Sequence, residues 1–235
     1  MTASDVRPQA LVTGATGGMG SAIVRELART HDVIAVGRSA DALSELAAQT
    51  GATAWTLDIT DADALAARTA ELTRLDVLVH GAAIAAVHTT ETATPEDWER
   101  QFGINVFAPA ELTRQVLPLL RESQGTVVFI GSGAGTRPVP GHAIYTASKH
   151  ALRGFADVLR IDEQRHRVRV VTLAPGQTDT GMLRTQSAEM GTPYEPERYI
   201  KPSSVAATVR FLVDASPDVH LTDIAVRPRV EIARL

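Results

Sequence analysis

Short, uninterrupted apolar runs alternate with longer helical stretches along the 235-residue chain, and this alternation restricts the fold more than any other feature. We predict strands at residues 9–13, 33–37, 53–57, 76–80, 126–131, 168–173 and 221–226. Continuous apolar runs are typical of strands that are buried on both faces of a parallel sheet. Because strands that alternate with helices are joined by right-handed crossovers, the pattern predicts a doubly wound α/β domain with helices on both faces.

The helical stretches between these runs complete the pattern. We predict helices at residues 18–29, 41–49, 61–72, 95–121, 143–165 and 203–214. No repeat, charge block or low-complexity linker divides the sequence, so we expect residues 1–235 to form a single domain. Residues 180–201 contain scattered glycines and prolines and are expected to be irregular; long segments of this kind in compact domains are often functional.

The composition excludes several classes of function. The chain has no cysteine, which excludes disulfide scaffolds, cysteine-ligated metal sites and thiol nucleophiles. Its net charge of −4 lacks the basic excess of nucleic-acid binders, and its histidines form no metal-ligand pattern. No apolar run approaches the roughly 18 residues of a membrane span, and the first residues lack the pattern of a secretory signal, so we expect none. We therefore expect a cytoplasmic protein that binds no metal, nucleic acid or membrane.

A glycine-rich segment, TGATGGMG at residues 13–20, joins the first predicted strand to the first helix. Glycine permits positive φ and lets the backbone approach a ligand closely. The helix that follows presents unpaired N–H groups, which are a ready binding site for an anion. No Lys-Ser or Lys-Thr pair follows, so this is not a nucleoside-triphosphate loop. The placement favours a dinucleotide phosphate site over a purely structural turn.

The end of the second predicted strand indicates which dinucleotide binds. An NAD site usually has an acidic residue there, which accepts hydrogen bonds from the ribose hydroxyls. This chain has Arg38 and Ser39 instead. A guanidinium suits a phosphate group and a hydroxyl can add a further hydrogen bond, so we predict a preference for NADP(H). The alternative is that Arg38 is a solvated surface residue.

An acid/base pair is predicted on the helix that follows the fifth strand. Tyr145 and Lys149 are four residues apart and share one helical face. A nearby ammonium lowers the pKa of a phenol, which is about 10 when unperturbed, so the pair could exchange protons near neutral pH. Ser132 lies just after the fifth strand, thirteen residues upstream of Tyr145. An exposed helical pair without chemistry is the alternative for Tyr145 and Lys149.

Taken together, these segments resemble the short-chain dehydrogenase/reductase family over essentially the whole chain. The family's motifs occur in order as Thr13-Gly-x-x-x-Gly-x-Gly20, Asp58-Ile59, Asn105, Ser132, Tyr145-x-x-x-Lys149 and Pro175-Gly176-x-x-x-Thr180. The resemblance implies a single Rossmann-type domain. Its parallel sheet would have seven strands in the order 3-2-1-4-5-6-7.

The resemblance also implies a role for each catalytic residue. Tyr145 would exchange a proton with the substrate oxygen, and Ser132 would hydrogen-bond the same oxygen. Lys149 would hold the nicotinamide ribose and lower the pKa of Tyr145, and Asn105 would anchor a water molecule that relays protons. The complete set of predicted cofactor residues is Gly14, Thr16, Gly17, Gly18, Met19, Gly20, Arg38, Ser39, Asp58, Ile59, Gly81, Ala82, Ala83, Tyr145, Lys149, Pro175, Gly176, Thr178 and Thr180.

Two histidines need separate treatment. The family's Asn-Asn-Ala-Gly after the fourth strand is His80-Gly-Ala-Ala83 here. We expect His80 to be a neutral core residue that braces the sheet rather than a titrating catalytic group, because buried polar groups are usually simply paired. His142 lies three residues before Tyr145. It could line the substrate entrance, but we expect an ordinary loop residue.

Three functions fit this sequence. The first is an NADPH-dependent reductase of a ketone or aldehyde, with residues 181–201 covering a moderately apolar substrate. The second is an NADP-dependent alcohol or sugar dehydrogenase. The third is a non-catalytic dinucleotide-binding regulator, because a fold alone does not determine function. The resemblance also implies a homodimer or homotetramer in which the helices at 95–121 and 143–165 pair across a two-fold axis.

Overall fold

The computed structural model describes residues 7–230. In this part of the chain, seven strands form one parallel sheet: β1 (Gln9–Thr13), β2 (Asp32–Gly37), β3 (Thr53–Thr56), β4 (Val77–His80), β5 (Thr126–Ile130), β6 (Arg169–Pro175) and β7 (Asp223–Val226). Their order is β3-β2-β1-β4-β5-β6-β7, which confirms the predicted Rossmann-type topology. The strand order reverses between β1 and β4, and in such sheets ligands bind at the carboxyl ends of the strands that flank this point.

Helices cover both faces of the sheet: α1 (Gly18–Leu27), α2 (Ala40–Thr50), α3 (Ala62–Thr69), α4 (Pro95–Phe102), α5 (Ala108–Ser123), α6 (Ala143–Asp162), α7 (Gly181–Glu189) and α8 (Pro202–Val213). Successive residues of a strand point to opposite faces. In β1, Val12 packs in the apolar cluster formed with α1, α2 and α8, whereas Leu11 packs in the cluster formed with α3, α5 and α6. This two-sided burial explains why the five inner strands are continuous apolar runs, whereas the edge strands β3 and β7 are more exposed.

The predicted helix at residues 95–121 is wrong in one respect. A π-helical turn, Gly103–Phe107, separates α4 from α5. The start of α4 is well specified by a capping box, in which the Thr94 hydroxyl accepts from Asp97 N and the Asp97 carboxylate accepts from Thr94 N. The π-helical turn leaves no mark on the apolar spacing of the sequence. It matters because such turns often occur at functional sites, and Asn105 lies in its centre.

The prediction that residues 180–201 are irregular is also wrong. They contain helix α7, Gly181–Glu189, and a short 3₁₀ turn, Pro196–Arg198. The Thr180 hydroxyl caps α7 by accepting from Leu183 N at 3.3 Å. Ser187 is the single buried residue of this fully described helix. Because α7 presents no apolar stripe to the core, the sequence lacks the periodic signal by which the other helices are predicted.

Candidate active site

The glycine-rich turn between β1 and α1 is shaped by close backbone contacts. Gly14 has a φ of 67°, in the left-handed region that favours glycine. A Cβ atom at Gly20 would lie 2.0 Å from the Gly14 carbonyl oxygen. The Thr13 hydroxyl accepts hydrogen bonds from Gly81 N at 3.1 Å and Ala82 N at 3.2 Å, which ties the turn to the segment after β4. There is therefore no room for a side chain at Gly14 or Gly20.

A cavity of about 470 Å³ lies over this turn, at the carboxyl edge of the sheet. Its walls include most of the predicted cofactor residues: Gly14, Thr16, Gly17, Gly18, Met19, Gly20, Arg38, Asp58, Ile59, Gly81, Ala82, Ala83 and Thr180. Gly17 precedes α1 and has no side chain to cap it, so the helix presents its first N–H groups to the cavity. Size, shape and the donor set all fit a dinucleotide with its pyrophosphate on this helix.

The cavity wall also contains Gly181 and Met182, from the segment expected to cover the substrate, and five residues that sequence reasoning missed: Val36, Gly37, Leu57, Ile84 and Ile104. These residues are apolar or glycine. The one sequence signal that could have assigned them to the cavity is that most of them lie near the ends of predicted strands. The predicted residues Ser39, Tyr145, Lys149, Pro175, Gly176 and Thr178 lie outside this wall. Gly176 N donates to Val226 O at 2.7 Å, and the Thr178 hydroxyl donates to Gly176 O at 3.0 Å. These two bonds set the course of the chain between β6 and α7.

Arg38 stands where the second strand ends, as predicted, and its side chain is 69% exposed. Its Nη1 lies 4.0 Å from Asp58 Oδ2. The pKa of Asp58 is lowered, first by hydrogen bonds from Thr60 N and the Thr60 hydroxyl and then by the Arg38 guanidinium. Asp58 therefore stays ionised at neutral pH. Ser39, the next residue, caps α2 by accepting from Ala42 N at 3.3 Å.

Tyr145 and Lys149 come together as predicted. Lys149 is buried, its Nζ donates to Ile130 O at 2.9 Å, and the same nitrogen lies 5.8 Å from the centre of the Tyr145 ring. Burial lowers the pKa of Lys149 to about 8, because the charged form loses its hydration. Ser132 follows β5, and its Oγ accepts from Ala134 N at 3.1 Å. A cavity of about 10 Å³ is lined by both Ser132 and Lys149.

Asn105 connects two parts of the site. Its Oδ1 accepts from Ile84 N and its Nδ2 donates to Ile84 O, both at 2.9 Å. The same Nδ2 donates to the Ser148 hydroxyl at 3.0 Å, and that hydroxyl donates to Tyr145 O at 2.9 Å. Asn105 is therefore buried between the segment after β4 and the helix that carries Tyr145 and Lys149.

Comparison with known proteins identifies the family. The family described as short chain dehydrogenase matches residues 8–191, which is more than half of the chain. The chain belongs to this family. An uncharacterised short-chain type dehydrogenase/reductase of Sinorhizobium fredii is 31% identical, over 95% of this chain and 92% of the relative. The NADP-dependent 3-hydroxy acid dehydrogenase YdfG of Salmonella typhi is 30% identical, over 93% of this chain and 94% of the relative.

The fold likeness is equally extensive. The solved structure of actinorhodin polyketide ketoreductase with NADPH superposes with a TM-score of 0.87. Sequence identity is 27%, over 97% of this chain and 98% of that one. The residues predicted to bind the cofactor and to act in catalysis, which extend from Gly14 to Thr180, therefore lie within the region that this short-chain dehydrogenase shares with its relatives.

His80 is the brace expected at the position where this short-chain dehydrogenase departs from the family's usual segment. Its Nε2 donates to the Thr113 hydroxyl at 2.9 Å, because that hydroxyl gives its own proton to Pro109 O. The ring stacks on Phe129 with 4.7 Å between centres. Burial lowers the pKa of His80 to about 3, so the imidazole is neutral. Within residues 7–230 its Nδ1 has no hydrogen-bond partner.

His142 is not the ordinary loop residue that was expected. It is 5% exposed and immediately precedes α6. Its ring contacts the Tyr145 ring edge-on, and its Nε2 lies 3.2 Å from Gln186 Nε2 on α7. The one sequence signal for this position is its distance of three residues from Tyr145. Gln186 carries no signal, because its partners are far away in the sequence.

The remaining expectations concern ligands of other kinds. Within residues 7–230, no helix has the length and apolar character that crossing a membrane requires. Among the same residues, no group of three or more His, Cys, Asp and Glu side chains is arranged to hold a metal ion.

Proposed function

We propose that this short-chain dehydrogenase is an NADPH-dependent oxidoreductase that reduces a ketone or aldehyde and, in reverse, oxidises the alcohol. The observation that carries the proposal is the burial of Lys149 against the Tyr145 ring, with Ser132 beside Lys149. A relative named as an NADP-dependent 3-hydroxy acid dehydrogenase and a structural neighbour named as a ketoreductase support it. In this proposal residues 1–235 act as one domain, with residues 180–201 over the substrate.

The cavity supports NADP(H) as the cofactor. Backbone N–H groups at the start of α1 would hold the pyrophosphate, and Arg38 with Ser39 would hold the 2′-phosphate. Asp58 and Ile59 would lie along the adenine, and Thr178 and Thr180 toward the nicotinamide end. When bound, the cofactor supplies the hydride that the carbonyl carbon accepts.

The side chains of this protein would then supply the proton that the substrate oxygen receives during reduction. Tyr145 would donate its phenolic proton to the substrate oxygen, which develops negative charge during reduction. The Ser132 Oγ already accepts from Ala134 N, so its O–H can donate to the same oxygen. The Lys149 ammonium, near the Tyr145 ring, would stabilise the phenolate that remains. Asn105 would fix the position of the segment after β4 relative to the helix that carries Tyr145.

A panel of ketones and aldehydes with NADPH, followed at the nicotinamide absorbance, tests this proposal. Oxidation of NADPH by at least one carbonyl compound is the expected result. A second candidate, an NADP-dependent alcohol or sugar dehydrogenase, is favoured by the name of the Salmonella typhi relative and predicts faster turnover of alcohols with NADP⁺. Binding of NADPH without turnover on either panel would instead support a non-catalytic regulator.

Arg38→Asp is expected to reverse the cofactor preference. The change removes the guanidinium and adds a carboxylate, which repels a 2′-phosphate and can accept from a ribose hydroxyl. We expect the Kd of NADPH to rise about 10- to 100-fold, the range for a hydrogen bond to a charged group, while NADH binds more tightly. Fluorescence titration of both dinucleotides measures this. Arg29→Asp makes the same charge change at an exposed residue of another surface and is the matched control. An unchanged NADPH-to-NADH ratio in Arg38→Asp contradicts the assignment.

We also propose that the protein is a homodimer or homotetramer. Phe107, at the junction of α4 and α5, is 62% exposed, and Val158 and Ile161 on α6 are 58% and 67% exposed. Val158 and Ile161 are three residues apart and share one face of α6, and contiguous exposed apolar patches are typical of an interface. Sedimentation velocity is expected to give a dimer or larger for the wild type. Ile161→Glu is expected to shift the distribution toward monomer, and a wild type that sediments as a monomer contradicts the proposal.

A further inference from the structure

The side chain of Gln186 joins helix α7 to the surroundings of the reaction centre. We propose that Gln186 is a positioning residue: its amide latches α7 against the start of the catalytic helix and the segment after β4, which closes the substrate side of the site. The inference rests on the proposed function, since it concerns the pocket in which the carbonyl compound would be reduced.

The latch consists of two hydrogen bonds from a single nitrogen. Gln186 Nε2 donates to Ala85 O at 2.9 Å and to His142 Nε2 at 3.2 Å. A primary amide nitrogen carries two hydrogens, so it can satisfy both acceptors at once. The bond to Ala85 spans 101 positions of the sequence. An amide placed the other way round would point its oxygen at the Ala85 carbonyl oxygen, which excludes that orientation.

His142 is oriented to accept this bond. Its Nδ1 lies 3.0 Å from Pro140 O, and a carbonyl oxygen can only accept, so Nδ1 carries the proton. Nε2 therefore presents a lone pair to Gln186. The start of α6 is held as well, because Ala143 N donates to His88 O at 2.9 Å. The His142 ring meets the Tyr145 ring edge-on, with 6.4 Å between centres.

The other acceptor, Ala85 O, belongs to the segment after β4, on another side of the site. Ala85 directly follows Ile84, whose N–H and carbonyl are both bonded to the Asn105 side chain. The Gln186 amide therefore connects α7 both to the start of the helix that carries Tyr145 and to the segment that the Asn105 side chain binds. A displacement of α7 breaks both contacts together.

A further contact of α7 is local in sequence: the Arg184 guanidinium lies over the Tyr194 ring, 5.0 Å from its centre, in the segment that follows the helix. Ser187 is the one buried residue among the nine of this helix, so apolar burial contributes little to its position. Its first turn is fixed by the Thr180 cap, and the chain before it by the bond from Asp179 N to Ile200 O at 2.9 Å. Gln186 lies nearly two turns further along. Loss of its amide is therefore expected to free the distal half of the helix.

Two variants test the latch. Gln186→Leu removes both donors, and Gln186→Glu keeps the shape but places carboxylate oxygens against the Ala85 carbonyl oxygen. We expect amide hydrogen exchange of residues 181–190, measured on the protein alone by mass spectrometry, to become about tenfold faster in both variants. With NADPH and the best carbonyl compound of the panel, kcat/KM is expected to fall about tenfold, chiefly through KM, and the Kd of NADPH to change less than about twofold.

The controls separate the latch from the proposed function. Thr185→Val alters an exposed neighbour on the same helix that makes neither of these contacts, and it is expected to leave amide exchange unchanged. Unchanged exchange in both Gln186 variants overturns the latch. Faster exchange with unaltered KM and kcat overturns the positioning role. Faster exchange in a protein whose wild type turns over no carbonyl compound supports the latch and contradicts the proposed function instead.

Discussion

Tyr145→Phe is expected to lower the turnover of any carbonyl substrate by about 10³-fold, within the range for loss of a general acid, while NADPH binds as in the wild type. The change removes one oxygen atom. The ring remains against Lys149, whose Nζ lies 5.8 Å from the ring centre, so the packing of α6 is preserved. What is lost is the group that gives a proton to the substrate oxygen as negative charge develops there.

Steady-state assays at the nicotinamide absorbance measure the turnover, and fluorescence titration measures NADPH binding. Tyr199→Phe is the matched control. The Tyr199 hydroxyl accepts from Glu195 N at 3.1 Å, in the turn after α7, and takes no part in the proposed proton transfer. We expect this control to keep turnover within about threefold of the wild type, the effect of one ordinary hydrogen bond. Full activity in Tyr145→Phe would show that another group donates the proton.

The parts of the site that sequence reasoning found are those set by local patterns. The turn before α1 is specified by glycines such as Gly14, where the backbone needs positive φ. Tyr145 and Lys149 share a helical face because their spacing of four residues matches the period of the helix. The order of the strands was implied by the family resemblance, whereas the parallel sheet itself is indicated by burial on both faces, which makes the five inner strands continuous apolar runs. Each of these signals lies within a few residues of the position it describes.

The parts that sequence reasoning missed depend on distant contacts or on small departures from a regular helix. The π-helical turn around Asn105 leaves the apolar spacing of α4 and α5 almost unaltered. Gln186 meets Ala85 across 101 positions, and no periodicity encodes the meeting of two polar groups so far apart. His142 contacts Gln186 on α7, a helix that sequence reasoning left irregular. Once that helix was missed, its contacts could not be inferred either.

The largest effect on stability is expected from Gly20→Ala. The added methyl carbon would lie 2.0 Å from the Gly14 carbonyl oxygen and 3.1 Å from Ala15 Cα, so backbone rather than a flexible side chain must move. Overpacking of this kind costs about 3 kcal/mol or more. For a chain of this length we expect the Tm to fall by about 6 to 12 °C. Because the displaced backbone also forms the anion site before α1, NADPH binding is expected to be lost below the melting temperature as well.

Gly181→Ala provides the matched control for the melting temperature. Gly181 lines the same cavity, but among the described residues no atom lies within 4 Å of the added methyl group. Replacing glycine by alanine at such a site narrows the unfolded ensemble and stabilises by about 0.4 to 1 kcal/mol, so the Tm is expected to hold or rise slightly. Each variant adds one methyl group. Thermal unfolding of both therefore distinguishes the effect of the steric contact at Gly20 from the general effect of replacing glycine by alanine. If Gly20→Ala has the same Tm as the wild type, the turn before α1 can relax to accept a methyl group. The close approach of the backbone would then not require glycine at position 20.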